Sequence, residues 1–596
     1  MSYRSPSLFA LVCAAAWSLA VAADPPRQPE IVVSATRTEA TLDSVLASVE
    51  VIDRAAIEAS DGDVLTLLRS RAGVDIVRGG GLGQQTSLFL RGGNSSHVLV
   101  LIDGVRVASA NTGGHVWEHL PLAQIERIEI VRGPRAALFG SDAIGGVIQI
   151  FTRRPVAVEA LVGLASHDTW RVEAGAGRAG AHGEFGVRAA MVDSVGFSAQ
   201  NAAGFSYDPD DDGYRQRSLN LSAGLDGERL RLDGQWLYAR SEVEFDQGES
   251  RTDASSARLA LSGGQRSPWS LALGHHREDL DTPVFFSRYE TRRWQLEAQR
   301  VQPLGGRGEW LHGASLVHDE GVNLDTFAGS AQYAQSRRQR AVFVDWRDGH
   351  GALDWQLGAR HDDFDSFGGR TSLQAALGWR LGAQARLRLN AGEGFRAPTL
   401  NELYSPGFGG LFAGNADLDP ERARNLEAGF DWQGAGVELS LAAYRNRVRD
   451  LIDFSGGECF QAINIARADL RGIELQTGID IDDWRLSANL GWQRARDADS
   501  GLALLRRAAR KATLGIERDW RAARLGLELH GVSARADSTG ELPGYALLGA
   551  WLNQPLSRRL TLQLRLDNIL DRDYVLIPGY NTPGATASVQ LRWMAD

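Results

Sequence analysis

Four carboxylates stand almost in a row at Asp208, Asp210, Asp211 and Asp212, just before Gly213-Tyr214. Carboxylates at alternate positions of a loop can turn together onto a hard cation, which takes oxygen ligands. Asp208, Asp210 and Asp212 are therefore the candidate metal ligands, with Glu244 or Asp246 as alternative contributors from a neighbouring loop. The other reading of the same residues is a solvated acidic loop. The remaining reactive side chains do not assemble into a site. His97, His115, His119, His167 and His361 are scattered and show no HExxH spacing. There is no G-x-S-x-G elbow, and a GxxxxGK[ST] phosphate loop needs a lysine where none exists, because Lys511 is the only one. The two cysteines, Cys13 and Cys459, build neither a disulfide framework nor a metal site. No catalytic residues and no catalytic cofactor are expected.

The elements that would carry these residues fall into distinct stretches of the 596-residue chain. Apolar residues make up 43% and charged residues 23%, which excludes wholesale disorder. A formal charge of −10 leaves no basic footprint for nucleic acid. Arg4, the apolar run Leu8 to Leu19 and the small residues Ala20-Val21-Ala22-Ala23 have the layout of a secretory signal, residues 1–23. From there to residue 38 the chain is Pro-rich, with the β-prone run Ile31-Val32-Val33. Residues 39–154 read as a compact mixed α/β unit. It has a strand over Ala47 to Ile52, a helix capped by Asp53, a flexible turn at Gly79-Gly80-Gly81 and Gly83, and strands at Leu88 to Arg91, His97 to Ile102, Ile125 to Val131 and Val147 to Phe151.

Residues 155–596 change to long strands of period two. Leu560, Leu562, Leu564 and Leu566 alternate with Thr561, Gln563, Arg565 and Asp567, and Leu525, Leu527 and Leu529 alternate with Arg524, Gly526, Glu528 and His530. One apolar face and one face of Arg, Gln and Asp is a lipid-out, polar-in pattern. About 440 residues, at about 20 per strand and connection, make about 22 strands, a barrel size that goes with a plugged lumen. The predicted fold is an all-β transmembrane barrel of about 22 antiparallel strands, with the small α/β unit as a plug inside it. Strand counting puts the acidic loop, about Gly196 to Tyr214, on the outside of the cell.

The chain resembles the TonB-dependent outer-membrane receptors, and among them the cobalamin transporter group. The plug carries the densest match: Thr86-Ser87-Leu88-Phe89-Leu90-Arg91-Gly92, Asn94 to Arg106, Ile125 to Pro134, and Leu138 to Ile148. The barrel adds Gly394-Phe395-Arg396-Ala397-Pro398 with Leu403-Tyr404, Asn415 to Glu421, and Asn568-Ile569-Leu570-Asp571 with Tyr574. The resemblance implies a bacterial outer-membrane protein that imports cobalamin or a related corrinoid with energy from TonB and its inner-membrane complex. It implies folding into lipid by the barrel assembly machinery, although Trp593 is followed here by Met594-Ala595-Asp596.

The resemblance also assigns sites. Glu30, Ile31, Val32, Val33, Ser34, Ala35 and Thr36 look like the TonB box, a segment that adds as a strand to the partner's sheet edge. Asn94, Ser95, Ser96 and His97 form one plug apex, and Val107 to Gly114, with Ser109, Asn111 and Thr112, form another. These residues and Tyr404 are the expected ligand contacts. The matching acidic loop in the cobalamin group binds structural calcium. Small polar apices would serve an iron chelate or haem equally well, so that cargo is the alternative. A passive porin or a barrel enzyme is the alternative from another class.

Overall fold

In the computed structural model, residues 31–32, 36–38, 40–60, 63–155, 157–456, 458–465 and 467–595 are described. Among them, 22 antiparallel strands close into one barrel, which runs from Glu159–Ala165 to Thr586–Met594 and is sealed by pairing between those two strands. The alternation read from the sequence is the physical basis of closure. Leu527, Leu529, Leu564, Leu566, Val589, Leu591 and Trp593 are exposed on the lipid side. Their neighbours Gln563, Gln590 and His530 are buried toward the lumen. At one end the connections are tight, as between Gly180 and Gly183. At the other they include the long segments 195–213, 397–420 and 568–585. The tight end is periplasmic and the looped end extracellular. Among the described residues no helix is long and apolar enough to cross a membrane, so the crossing is made by strands.

The lumen holds the plug. Its five-stranded sheet has the order Ser48–Ile52, Ile125–Arg132, Gly146–Thr152, Val98–Ile102, Val105–Arg106, with Val98–Ile102 and Gly146–Thr152 parallel. Ile52, Leu68, Val100, Ile128, Ile130, Ile148 and Ile150 share one dry core beneath it. Asp103-Gly104 makes the hairpin between the last two strands, and both have positive φ, 49° and 86°.

The single helix expected after Asp53 is two. Asp53 caps Arg54–Ala59 by accepting from the Ala56 amide at 2.8 Å. Asp63 caps a second helix, Val64–Arg69, through the Leu65 amide at 3.0 Å. Two cap residues ten apart give each short helix its own start.

The glycine turn expected to be flexible is packed. Gly83 has φ +79°, and a Cβ there would lie 2.0 Å from a ring carbon of Tyr214 on the wall. Glycine is required at that position for close approach as well as for backbone conformation.

Candidate functional site

Three plug apices reach the extracellular end of the barrel, and each is tied to a different part of the wall. The first, around Gly79 to Gln84, meets the acidic loop and the strand beside it. Gln84 donates to the Glu244 carbonyl at 2.6 Å. The second is Asn94 to His97. The Asn94 amide donates to His97 Nδ1 at 3.1 Å, which leaves Nε2 to donate to Glu421 at 2.6 Å. Glu421 is fully buried and also accepts from Arg396 at 2.7 and 2.9 Å and from the Ile452 amide at 2.9 Å. Arg396 in turn grips both oxygens of Glu402, at 2.9 and 3.0 Å. Glu402 closes a capping box with Thr399 at the start of the short helix Leu400–Tyr404. The Gly394 to Pro398 segment thus supplies the arginine that links a plug apex to an outer loop.

The third apex is Ser109 to Gly114. Asn111 is fully buried; its Nδ2 donates to the Glu290 carbonyl at 2.9 Å, and its Oδ1 accepts from Tyr333 at 3.0 Å. Ser109 and Thr291 share a hydroxyl contact at 3.3 Å. The Leu400 and Asn401 amides donate to the Ala110 and Asn111 carbonyls, both at 3.1 Å.

The expected ligand contacts therefore divide into two groups. His97, Ser109 and Asn111 are buried and spend their polar atoms on the barrel wall or on their own apex. Thr112 is exposed, and Asn94, Ser95 and Ser96 are half-buried at the lumen mouth. Tyr404 is half-buried against two apolar clusters, one around Leu403 and Leu418 and one around Tyr333 and Leu400.

Arg507 and Phe460 carried no signal in the sequence, whereas Phe412 belongs to an aromatic loop set, with Tyr404 and Phe408, that the sequence places near the mouth. Arg507 donates to Asn94 Oδ1 at 2.7 Å and lies 3.8 Å over the Phe89 ring. Phe412 and Phe460, from separate outer loops, stack with centroids 5.2 Å apart.

The acidic loop does fold back on itself, though with partners other than the alternating set. Asp212 is buried, and its carboxylate accepts from the Ala199 amide at 2.6 Å. Asp246 accepts from the Gln200 amide at 3.1 Å and the Asp208 amide at 3.0 Å. Glu244 accepts from the Gly213 amide at 3.0 Å. Burial, with Asp246, Asp210 and Glu244 nearby, pushes the Asp212 carboxyl up to about 6. Asp208 and Asp210 are exposed. Among the described residues no three His, Cys, Asp or Glu side chains are already gathered as a metal cage. Asn581, from the last outer loop, donates to the Ser198 and Gln200 carbonyls, both at 2.8 Å, and so ties that loop to this one.

At the periplasmic end, Ile31–Val32 pairs antiparallel with Ala40–Thr41, Ile31 opposite Thr41 and Val32 opposite Ala40. Glu30, Val33, Ser34 and Ala35 lie outside the described residues. Thr36 is buried, with its hydroxyl on the Thr38 carbonyl at 2.8 Å. Arg37 anchors the segment by pairing with Glu297 at 2.6 Å beneath the Phe343 ring.

Deeper in the lumen, Arg91 of the plug pairs with Glu427 at 2.6 Å and Glu474 at 2.7 Å, two wall residues buried with it. Arg132 pairs with Glu50 inside the plug, as does Arg127 with Glu129. Of these three plug arginines, Arg91 makes the closest ion pairs with barrel carboxylates, and Arg132 lies 3.8 Å from Glu474.

Comparison with known proteins agrees with this architecture. A family model described as "TonB dependent receptor-like, beta-barrel" matches residues 166–569, and one described as "TonB-dependent Receptor Plug Domain" matches residues 41–147. "Vitamin B12 transporter BtuB" of Vibrio vulnificus is 30% identical over 582 residues, covering 91% of each chain. The protein of the same name from Photobacterium profundum is 28% identical over 593 residues, covering 94% of each. Among solved structures, the siderophore receptor PirA from Acinetobacter baumannii superposes with a TM-score of 0.78 at 17% identity, covering 92% of this chain and 98% of that one. The copper transporter OprC gives 0.78 at 16%, covering 93% and 99%. At such identities these two show the shared fold. With both family models matched across plug and barrel, the chain belongs to the TonB-dependent receptors, transport proteins of the bacterial outer membrane.

Proposed function

We propose that this receptor imports cobalamin or a related corrinoid, with energy delivered by TonB through the segment around Ile31 to Thr36. The observation that carries the reading is the 30% identity, over 91% of both chains, to a protein named as a vitamin B12 transporter. In this reading Asn94, Ser95, Ser96 and Thr112 offer hydrogen bonds to a large amide-rich ligand. His97, Ser109 and Asn111 hold those groups in place, and Tyr404 flanks them. The Asp212, Asp246 and Glu244 carboxylates, with Asp208 and Asp210 at the rim, draw in calcium, which orders the loop over the ligand. Insertion into the membrane falls to the barrel assembly machinery acting on the closing strand.

Calorimetric titration of the purified receptor with cobalamin, cobinamide, haem and a ferric siderophore, with calcium present, tests the cargo. Micromolar or tighter corrinoid binding is expected. Tight binding of the iron chelate with none of the corrinoids overturns the assignment and leaves fold and energy coupling untouched.

A further inference from the structure

Two outer segments, 397–420 and 451–465, lie outside the barrel ladder. The strands that flank the second, Val437–Arg449 and Ala468–Ile481, pair directly with each other. The hairpin between them, Leu451–Gly456 with Gln461–Ile465, forms a two-stranded sheet of its own. The two segments join into one cap. The Phe412 amide donates to the Cys459 carbonyl and the Ala462 amide to the Ala413 carbonyl, both at 2.9 Å. Asn464 exchanges two hydrogen bonds with the Asp419 backbone, at 2.8 and 2.9 Å. Leu403, Leu418, Ile452 and Ala462 give the cap a dry core.

No ladder fixes this cap, so the groups at its base set its position. The plug supplies several of them. The Ala397 amide donates to the Ser141 hydroxyl at 2.9 Å, and the Leu400 and Asn401 amides reach the third plug apex. The wall adds Arg337 on the Pro398 carbonyl at 2.7 Å and two long pairs at the rim, Arg370 with Asp419 at 3.8 Å and Arg422 with Asp450 at 3.9 Å.

Glu421 stands where plug, wall and cap meet. Its carboxylate accepts from His97 of the plug, twice from Arg396 of the wall, and from the Ile452 amide of the cap hairpin. A carboxylate has about four lone-pair sites, so the set is full. Arg396 carries the hold onward to Glu402 in the cap's short helix. Drawing the plug away removes the His97 donor, the Ser141 hydroxyl and the two apex carbonyls together. Arg396 keeps Glu402, so the cap loosens without coming apart.

We infer that Glu421 is a positioning residue that couples the seating of the plug to the order of the outer cap, so that a pull on the plug loosens the cap and speeds release of the cargo. A receptor that holds a scarce cargo tightly must still let it go, and this link ties the letting-go to the pull. Coupling of this kind is reciprocal: a cargo that orders the cap also steadies the plug. The step of cargo release rests on the reading that the outer mouth binds a corrinoid; the coupling of cap to plug does not.

The test uses the full-length receptor in detergent, with a nitroxide on Cys459. That cysteine is exposed, and the other, Cys13, falls in the segment read as a secretory signal. Label mobility and hydrogen exchange of the plug strand Val98–Ile102 are followed together as urea is raised. In the parent both should change at the same urea concentration. Glu421→Gln leaves Arg396 balanced by Glu402, and its label should be mobile at urea concentrations where the plug strand is still protected. Cobalamin should leave that variant roughly tenfold faster than it leaves the parent. His97→Ala, which removes the plug's donor alone, should act in the same direction and carries the test if Glu421→Gln fails to assemble. Arg422→Gln, one residue along the same strand, should behave as the parent. A merely structural role for Glu421 predicts a lower melting temperature of the barrel, with label and plug still changing together. The inference is overturned by a parent label that frees itself before the plug opens, by a label as restricted in Glu421→Gln and His97→Ala as in the parent, or by an equal effect in Arg422→Gln. A parent that binds no cobalamin sinks the cargo reading and leaves the label result to decide the coupling.

Discussion

Asp212 shows how one side chain can carry a regulatory load. Its carboxyl is raised from an ordinary 3.8 to about 6 by burial, with Asp246, Asp210 and Glu244 adding repulsion. A raised carboxyl favours the ordered loop fully below its unfolded value, and that contribution is lost as pH rises through about 6. The folded loop at neutral pH therefore holds an unfavourable charge, which the proposed calcium ion would relieve. Cation binding must in turn release the proton, so affinity should fall as pH drops below about 6. We expect calcium affinity, followed by intrinsic fluorescence, to be about tenfold weaker at pH 5 than at pH 7. Asp212→Asn should weaken binding at pH 7 and flatten that pH dependence. A calcium response independent of pH in the parent protein would show that Asp212 does not titrate with the loop. His97 teaches a different lesson. Its type suggests a ligand or metal contact, yet its Nε2 is spent on Glu421, 324 residues away in sequence. Only the fold brings that partner to it.

At the scale of elements, the N-terminal strand is one of the shortest pieces of regular structure near the plug. Two residue pairs join Ile31–Val32 to Ala40–Thr41, and so short a pairing gives little stability by itself. On the proposed coupling role, strand capture by TonB would replace that pairing while Arg37 stays held by Glu297. Deleting Ile31 to Thr36 should abolish accumulation of radiolabelled cobalamin in cells and leave surface binding intact. Normal accumulation would remove the coupling role, and loss of surface binding as well would indicate misfolding. The barrel was legible at this scale because its rule is local: a lipid-facing residue and a lumen-facing residue alternate, as at Leu527 and Leu529 against Glu528 and His530. The plug was legible in its strands and in the Asp53 cap. Two things escaped. The second cap at Asp63 divided an apparently continuous helix, and the glycine turn became a packed apex because Tyr214 of the wall presses on it. Both the apices and the acidic loop depend on partners supplied by distant strands, and periodicity holds no information about those.

At the scale of the whole molecule, transport requires a plug that seals the lumen at rest and yields to a pull. The plug–wall contact suits that demand because polar and ionic groups hold much of it in place of continuous apolar packing. Arg91 is a deeply buried link, paired with Glu427 and Glu474 and lying 4.3 Å over the Tyr444 ring. Wall amides and carbonyls add further polar ties, such as Asn446 Nδ2 to the Ile144 carbonyl at 3.3 Å. A buried ion pair contributes modestly when complete but is costly to break on one side, by about 3–5 kcal/mol, because the remaining charge is stranded. Arg91→Gln leaves Glu427 with the more distant Arg388, at 3.6 Å, and Glu474 with Arg132, at 3.8 Å, and should loosen the plug by up to about that amount while the barrel, closed by its own 22 strands, stays folded. Hydrogen exchange should accelerate across Thr86–Leu90 and the adjoining Val74–Arg78, which pair with each other beside Arg91. Barrel strands remote from the site, such as Gly308–Asp325, should keep their protection. Cells carrying the variant should also become more sensitive to large antibiotics that the resting plug excludes. Unchanged exchange at Thr86–Leu90 would mean that the seal rests on other contacts. Faster exchange throughout the barrel would mean that plug and wall unfold as one body, and that a pull on the N-terminal segment cannot open one without the other.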